Sequence, residues 1–310
     1  TDISNSSLQN TKENRHNNNQ KNMIPPEKDL FIQKIKDTAN NSDDLIVKSI
    51  SSNLTLMYID SLVDSSTLNE HILSAIINKK IESPKQLPTL LSIAEVKFAS
   101  QLDKAVLAIF NGAVILHVDG YPQIVEAKIT AKNSRGLQAP ENESQVIGSQ
   151  VGFNESLSTN ESLIRRYIKT ADLCNEKFTV GKRTNTTVTL FYLKDLASED
   201  MVNTLRQRIT SLQIDSLLDS SAVAEMIDDN SFSIFPQMLL TERPDRFCDS
   251  LLNGKLGIIV DGSSMSIISP QSFIEFFQSR EDQNLRWPIA TFVRLLRFSA
   301  VFLSVYFTPV

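Results

Sequence analysis

TLMYIDSL at residues 55–62 and TLFYLKDL at residues 189–196 share one pattern, and the segments downstream of them repeat as well. After the first come IFNG and VILHVDG, ending at Gly120; after the second come LLNG and GIIVDG, ending at Gly262. Asn111 to Asp119 and Asn253 to Asp261 are the same eight-residue step. Tyr58 to Asp119 and Tyr192 to Asp261 differ by eight residues, about one loop. An internal repeat on this scale predicts two similar subdomains.

Working outward, the apolar period alternates between two and 3.6 within each copy. Residues 55–59 and 188–193 are β-branched and aromatic runs short enough for buried strands. Leu68, Ile72, Ala75 and Ile76, and in the second copy Val202, Leu205, Ile209 and Leu212, fall on one helical face. A second strand at 94–98 or 237–240 leads into a helix ending in Asn-Gly, where Gly112 and Gly254 suit the left-handed position just past a helix. The strands 114–118 and 258–260 run through Asp-Gly into another apolar stretch, which predicts hairpins closed by tight turns. The expected fold is α/β: two subdomains with mixed sheets, joined by a partly helical linking module and succeeded by the start of a transmembrane helix.

The boundaries track composition. Residues 1–28 are rich in Asn and Ser with almost no apolar side chains, an expected disordered tail without the apolar core of a signal peptide. Subdomain 1 covers 29–130, the linking module 131–187, and subdomain 2 188–285. The module holds a helix with Leu163, Ile164, Tyr167 and Ile168 on one face and Ser158 or Thr159 as N-caps. Residues 286–310 form a juxtamembrane segment and the start of the span; from Phe298 they carry no charge, and Arg280, Arg286, Arg294 and Arg297 precede that run with Trp287 among them. The positive-inside rule then keeps the preceding chain cytoplasmic. A buried core helix is the alternative.

Composition narrows the function classes. A net charge of −5 over 310 residues leaves no basic surplus for a phosphate backbone, so no nucleic-acid partner is expected. The 9 glycines form neither GxGxxG nor a Walker A loop. Two separated cysteines, Cys174 and Cys248, and three scattered histidines, His16, His71 and His117, suggest no zinc site and no disulfide framework. No cofactor and no metal are expected, and no acid, base and nucleophile grouping emerges, so the expectation is a protein that is not an enzyme.

The candidate sites are few. Asp119 and Asp261 occupy equivalent positions and are candidate ligand-binding residues, although Asp-Gly at a hairpin tip is what turn geometry asks for. His117, two residues before Asp119, suggests a metal pair only weakly beside a satisfied core histidine. Arg165, with Arg166 and Lys169, offers a carboxylate clamp, against a solvated helix face as the default. Thr241-Glu242-Arg243-Pro244-Asp245 reads as a loop entering a helix with Asp245 as its N-cap.

Five stretches together resemble one family: Arg135 with Pro140 and Glu143; FNESLSTNESLIRRYIK from Phe153; TVGKRTNTTVTLFYL; TERPD from Thr241; and LLNGKLGIIVDG through FFQSREDQNLRW to FVRLLRF. The resemblance is to the A subunit of spore germinant receptors, the GerA family, over residues 55–310. The chain departs from that family at 148–153, at Ala139 and at Gln283. The resemblance implies a membrane subunit of the spore inner membrane that works with B and C subunits and other A copies. Small nutrient germinants would trigger it, ions would be released, and its N-terminal region would be cytoplasmic. Arg135, Glu143, Arg280 and Arg286 become candidate interface or coupling residues, with 271–297 transmitting movement. The alternative is a solute-binding module holding a nutrient between its subdomains.

Overall fold

The computed structural model describes residues 22–131, 140, 143, 150–228, 237–272 and 287–307. In the first unit the order is α1 (Lys28–Thr38), β1 (Leu45–Ser49), β2 (Leu54–Ile59), α2 (65–76), β3 (Val96–Ala99), α3 (Leu102–Phe110), β4 (Ala113–Val118) and β5 (Ile124–Lys128). The middle of α2, Leu68–Leu73, is wound as a π-helix. The second unit repeats this order with one further helix, of eight residues, before its third strand. It runs α4 (Leu157–Tyr167), β6 (Leu173–Val180), β7 (Thr186–Leu193), α5 (Glu199–Ser211), α6 (Ser220–Ile227), β8 (Leu239–Thr241), α7 (Pro244–Leu252), β9 (Leu256–Val260) and β10 (Ser266–Ser269).

Both sheets have five strands in the same order, β1-β2-β4-β5-β3 and β6-β7-β9-β10-β8. The expected mixed sheets are in fact antiparallel at every described pairing. The reason is topological. The crossover β3-α3-β4 leaves its two strands running the same way, but β5 slots between them and pairs antiparallel with each. The second unit does the same with β8, α7, β9 and β10.

Strand β2 is apolar without alternation because both of its faces are covered. Met57 and Ile59 pack with Phe31 and Ile35 of α1 and Ala105 and Ile109 of α3. Leu54 and Leu56 pack on the other side with Leu68, Ile72 and Ile76 of α2, and each such side chain contributes roughly 1.5–3 kcal/mol when fully buried. In the second unit Val188 and Leu190 face Val202, Leu205 and Ile209 of α5 and Val223 and Ile227 of α6. On the opposite face Phe191 meets Phe247 of α7 edge-on, ring centroids 6.1 Å apart. Leu212 lies one residue past α5, as its C-cap.

The helix and strand inside the expected linking module open the second copy, since α4 stands where α1 stands and β6 forms the second sheet's edge. Matching ties mark the register. Ile24 N–H donates to Ser100 O at 3.2 Å and Phe153 N–H to Glu242 O at 2.7 Å. Gly120 N–H donates to Pro26 O at 2.8 Å and Gly262 N–H to Glu155 O at 2.9 Å. Gly112 and Gly254 both have φ of +78°, as their place after a helix requires. The hairpin loops span five residues, 119–123 and 261–265, each begun by a turn with φ positive at Gly120 or Gly262.

α8 (Trp287–Phe307) is exposed along nearly all its described length, with Phe292, Leu295, Phe302 and Tyr306 open to solvent. Its stretch Trp287–Ser304 is long and apolar enough to cross a membrane. A buried core helix does not describe it.

Candidate functional site

The Asp-Gly carboxylates each point at a helix end in their own unit. Asp119 Oδ1 accepts the backbone N–H of Lys28, the first residue of α1, at 2.9 Å. Asp261 Oδ1 accepts the N–H of Leu157, the first residue of α4, at 3.3 Å. At α1 this replaces a local cap, because the side chain of Glu27 at the N-cap makes no capping hydrogen bond. A carboxylate there satisfies an orphan donor and sits at the positive end of the helix dipole. At α4 the nearest local hydroxyl is Ser156, which receives Thr159 N–H at 3.5 Å; the expected caps Ser158 and Thr159 lie inside the helix.

Arg165 is 1% exposed, not on a solvated face. α4 turns Asn160, Glu161, Ile164 and Arg165 inward together, so the polar residues of this helix are core residues. Glu161, itself buried, gathers donors from two strands: Asn175 Nδ2 and Lys177 Nζ of β6, each at 3.2 Å, and Thr189 Oγ1 of β7 at 3.4 Å. Pairing of this kind is what lets a carboxylate sit in a core.

Glu143 carries the densest constellation. Its Oε1 accepts Arg246 Nη1 at 2.8 Å, and its Oε2 accepts Glu242 N–H at 3.2 Å and the hydroxyl of Thr241. Its backbone carbonyl accepts Arg243 Nη1 at 3.3 Å. Arg243, 2% exposed, also grips Asp245 through Nε at 3.1 Å and Nη2 at 2.7 Å. Asp245 is therefore the acceptor of a two-pronged guanidinium pair, and the helix starts two residues earlier than an Asp245 cap would require, with Arg243 as its N-cap and Pro244 at its first position. Two stretches 98 residues apart, Glu143 and the TERPD run, form one clamp at the junction of β8 and α7. Every group in it is a donor or an acceptor already engaged, which suits holding a segment in place.

Arg135, Arg280 and Arg286 lie outside the described residues. His117 is buried, with Nε2 facing Pro25 O at 3.2 Å and Tyr121 O at 3.1 Å. Among the described residues no group of three or more His, Cys, Asp or Glu side chains could hold a metal. Sequence reasoning missed Arg246 and the Glu161 network. The available signal was Asn160 and Glu161 standing where α1 has Phe31 and Ile32, visible once the copies are aligned through their helices. A further polar knot joins α5 to β6 and β7: Glu176 takes Arg206 Nε and Nη2 at 2.7 and 2.6 Å and Tyr192 OH at 2.6 Å. Burial pushes the Glu176 carboxyl up, but Arg206 and Tyr192 together hold it below its ordinary value.

The chain is similar to known proteins. The sequence model of the family described as Bacillus/Clostridium GerA spore germination protein matches residues 33–310. Spore germination protein KA of Bacillus subtilis (strain 168) is 33% identical over 293 residues, covering 91% of this chain and 54% of that protein. Spore germination protein GerQA of Bacillus cereus is 32% identical over 290 residues, covering 92% of this chain and 58% of that protein. The chain thus spans a little over half the length of these relatives. The crystal structure of the N-terminal domain of the A subunit of the Bacillus megaterium spore germinant receptor GerK3 superposes with a TM-score of 0.63 at 26% identity. It covers 81% of this chain and 97% of that one.

Proposed function

The chain belongs to the GerA family of Bacillus/Clostridium spore germination proteins, and from that premise we propose that it is part of the A subunit of a nutrient germinant receptor. In this reading the two α/β units are cytoplasmic, at the inner membrane of the spore. They act without catalysis and pass a nutrient-dependent change to the membrane portion that begins in α8, where ions are released. B and C subunits and further A copies are the partners. A ligand-biased two-state element is the physics such coupling needs.

The observation that carries this reading is the pairing of a fold shared with a receptor A-subunit domain with an exposed apolar helix immediately after it. Arg294 and Arg297, which precede the uncharged run from Phe298 within α8, favour keeping the two units on the cytoplasmic side. The test is made in spores carrying the full-length subunit with residues 29–272 removed. Loss of the germination response to at least one nutrient in a panel of amino acids, sugars and nucleosides is expected, with recovery when the intact gene is restored. An unchanged rate for every nutrient would refute the assignment.

A further inference from the structure

We infer that His117 is a proton-sensitive latch that holds the segment preceding α1 onto the first sheet. The segment 22–27 is sewn to the first unit by backbone ties: Leu102 N–H to Asn22 O at 2.8 Å, Ile24 N–H to Ser100 O, and Gly120 N–H to Pro26 O. His117 joins this seam from beneath. Its Nε2 bridges Pro25 O in the segment and Tyr121 O in the β4–β5 loop, while its ring stacks on Phe31 of α1 at 4.4 Å. Both oxygens are carbonyls and can only accept, so Nε2 carries the proton of a neutral ring.

That assignment leaves Nδ1 bare, and among the described residues the buried Nδ1 has no partner. Directly opposite on β2, Thr55 pairs in register with His117, and its buried hydroxyl also has no partner among the described residues. A second proton would have to go to Nδ1. The surrounding elements present Phe31 from α1, uncharged Thr55 from β2, Ile124 from β5 and Pro25 from the segment. Among the described groups the charge acting on the ring is Asp119, whose Oδ1 already serves the Lys28 N–H. Burial accordingly holds the ring below its ordinary 6.5, against the opposing pull of the Tyr121 and Pro25 carbonyls and Asp119.

Above pH 6.5 the ring is neutral both seated and released, and the latch holds in full. As pH falls from 6.5 toward the depressed seated value, the released ring binds a proton that the seated ring refuses, so release is favoured by up to about tenfold per pH unit. The duplication supplies a control. Phe153, Gly262 and Leu157 make the second copy's equivalent ties, but Ile259, buried, stands at the position of His117.

The experiment is amide hydrogen exchange on the whole chain in detergent between pH 7.5 and 5.5, with protection corrected for intrinsic exchange. Ile24, Lys28 and Gly120 are expected to lose up to about tenfold in protection, while Phe153, Leu157 and Gly262 keep theirs. His117→Gln should remove the pH dependence of the first set. Loss at both sets together, no loss at the first, or a pH dependence that survives His117→Gln would overturn the latch. If His117→Gln does not fold, the comparison between the two copies in the unaltered chain decides.

Discussion

Asp119 Oδ1 receives the backbone N–H of Lys28 at 2.9 Å across 91 residues of sequence, and Asp261 does the same for Leu157 at 3.3 Å across 104. Each hairpin therefore caps the helix that opens its own copy. Asp119→Ala should cost about 1 kcal/mol, within the range for lost caps, and Asp261→Ala somewhat less because its bond is longer. Urea unfolding of each variant and of the double variant checks this. The two costs should add, because the sites share no partner.

Gly257 faces the ring of Phe247, and a Cβ at that position would run into its Cζ, Cε1 and Cε2 atoms. Phe247 is itself fully buried between Phe153 and Phe191 and has nowhere to swing. Gly257→Ala should therefore destabilise the second unit by roughly 1–3 kcal/mol, as overpacking does, read as a lowered unfolding midpoint. A neutral outcome would mean that the α7 face repacks freely.

Removing Glu143 strands several donors at once. Glu143→Ala is expected to cost about 1–3 kcal/mol, with Glu143→Gln milder because it retains one acceptor oxygen. Arg243→Lys should also weaken the clamp, since a lysine cannot reproduce the two-pronged grip on Asp245. Thermal midpoints rank the three variants. In spores, the Glu143→Ala receptor should germinate more slowly than one altered at exposed Lys104.

Glu176 sets an acid limit on the second unit. Its carboxyl lies below the ordinary 4.5 in the folded chain, so the stability it contributes is present above pH 4.5 and is lost as pH falls through the lowered value. Unfolding midpoints measured from pH 6 to pH 3 should fall less steeply in Glu176→Gln than in the unaltered chain. Equal slopes would show that Arg206 and Tyr192 do not hold the charged form.

Much of the architecture is legible in the sequence because its causes are local. The repeated Asn-Gly and Asp-Gly steps mark places where the backbone needs positive φ, and the unbroken apolar runs mark strands covered on both faces. The start of the second copy is hidden, because α1 and α4 occupy one position but Phe31 of α1 is answered by Asn160 of α4, and only Ile35 and Ile164 match among their inward residues. Periodicity identifies the face of a helix, but it does not say whether a polar residue there meets water or a partner. Arg165 shows the difference: its helix predicts a solvated face, and the fold buries it.

The sequence by itself determined the duplication, the alternation of strand and helix, and the family, all of which depend on neighbours in the chain or on ordered motifs. Tertiary structure alone decided that β5 would separate β3 from β4 and that Asp119 and Asp261 would cap distant helices. It also decided that Glu143 would meet the Thr241–Asp245 run and that one nitrogen of His117 would be satisfied and the other not. The physical reason is that a hydrogen bond needs a donor and an acceptor within about 3 Å. Here sheet order and loop return, not sequence spacing, set which groups from distant stretches come that close.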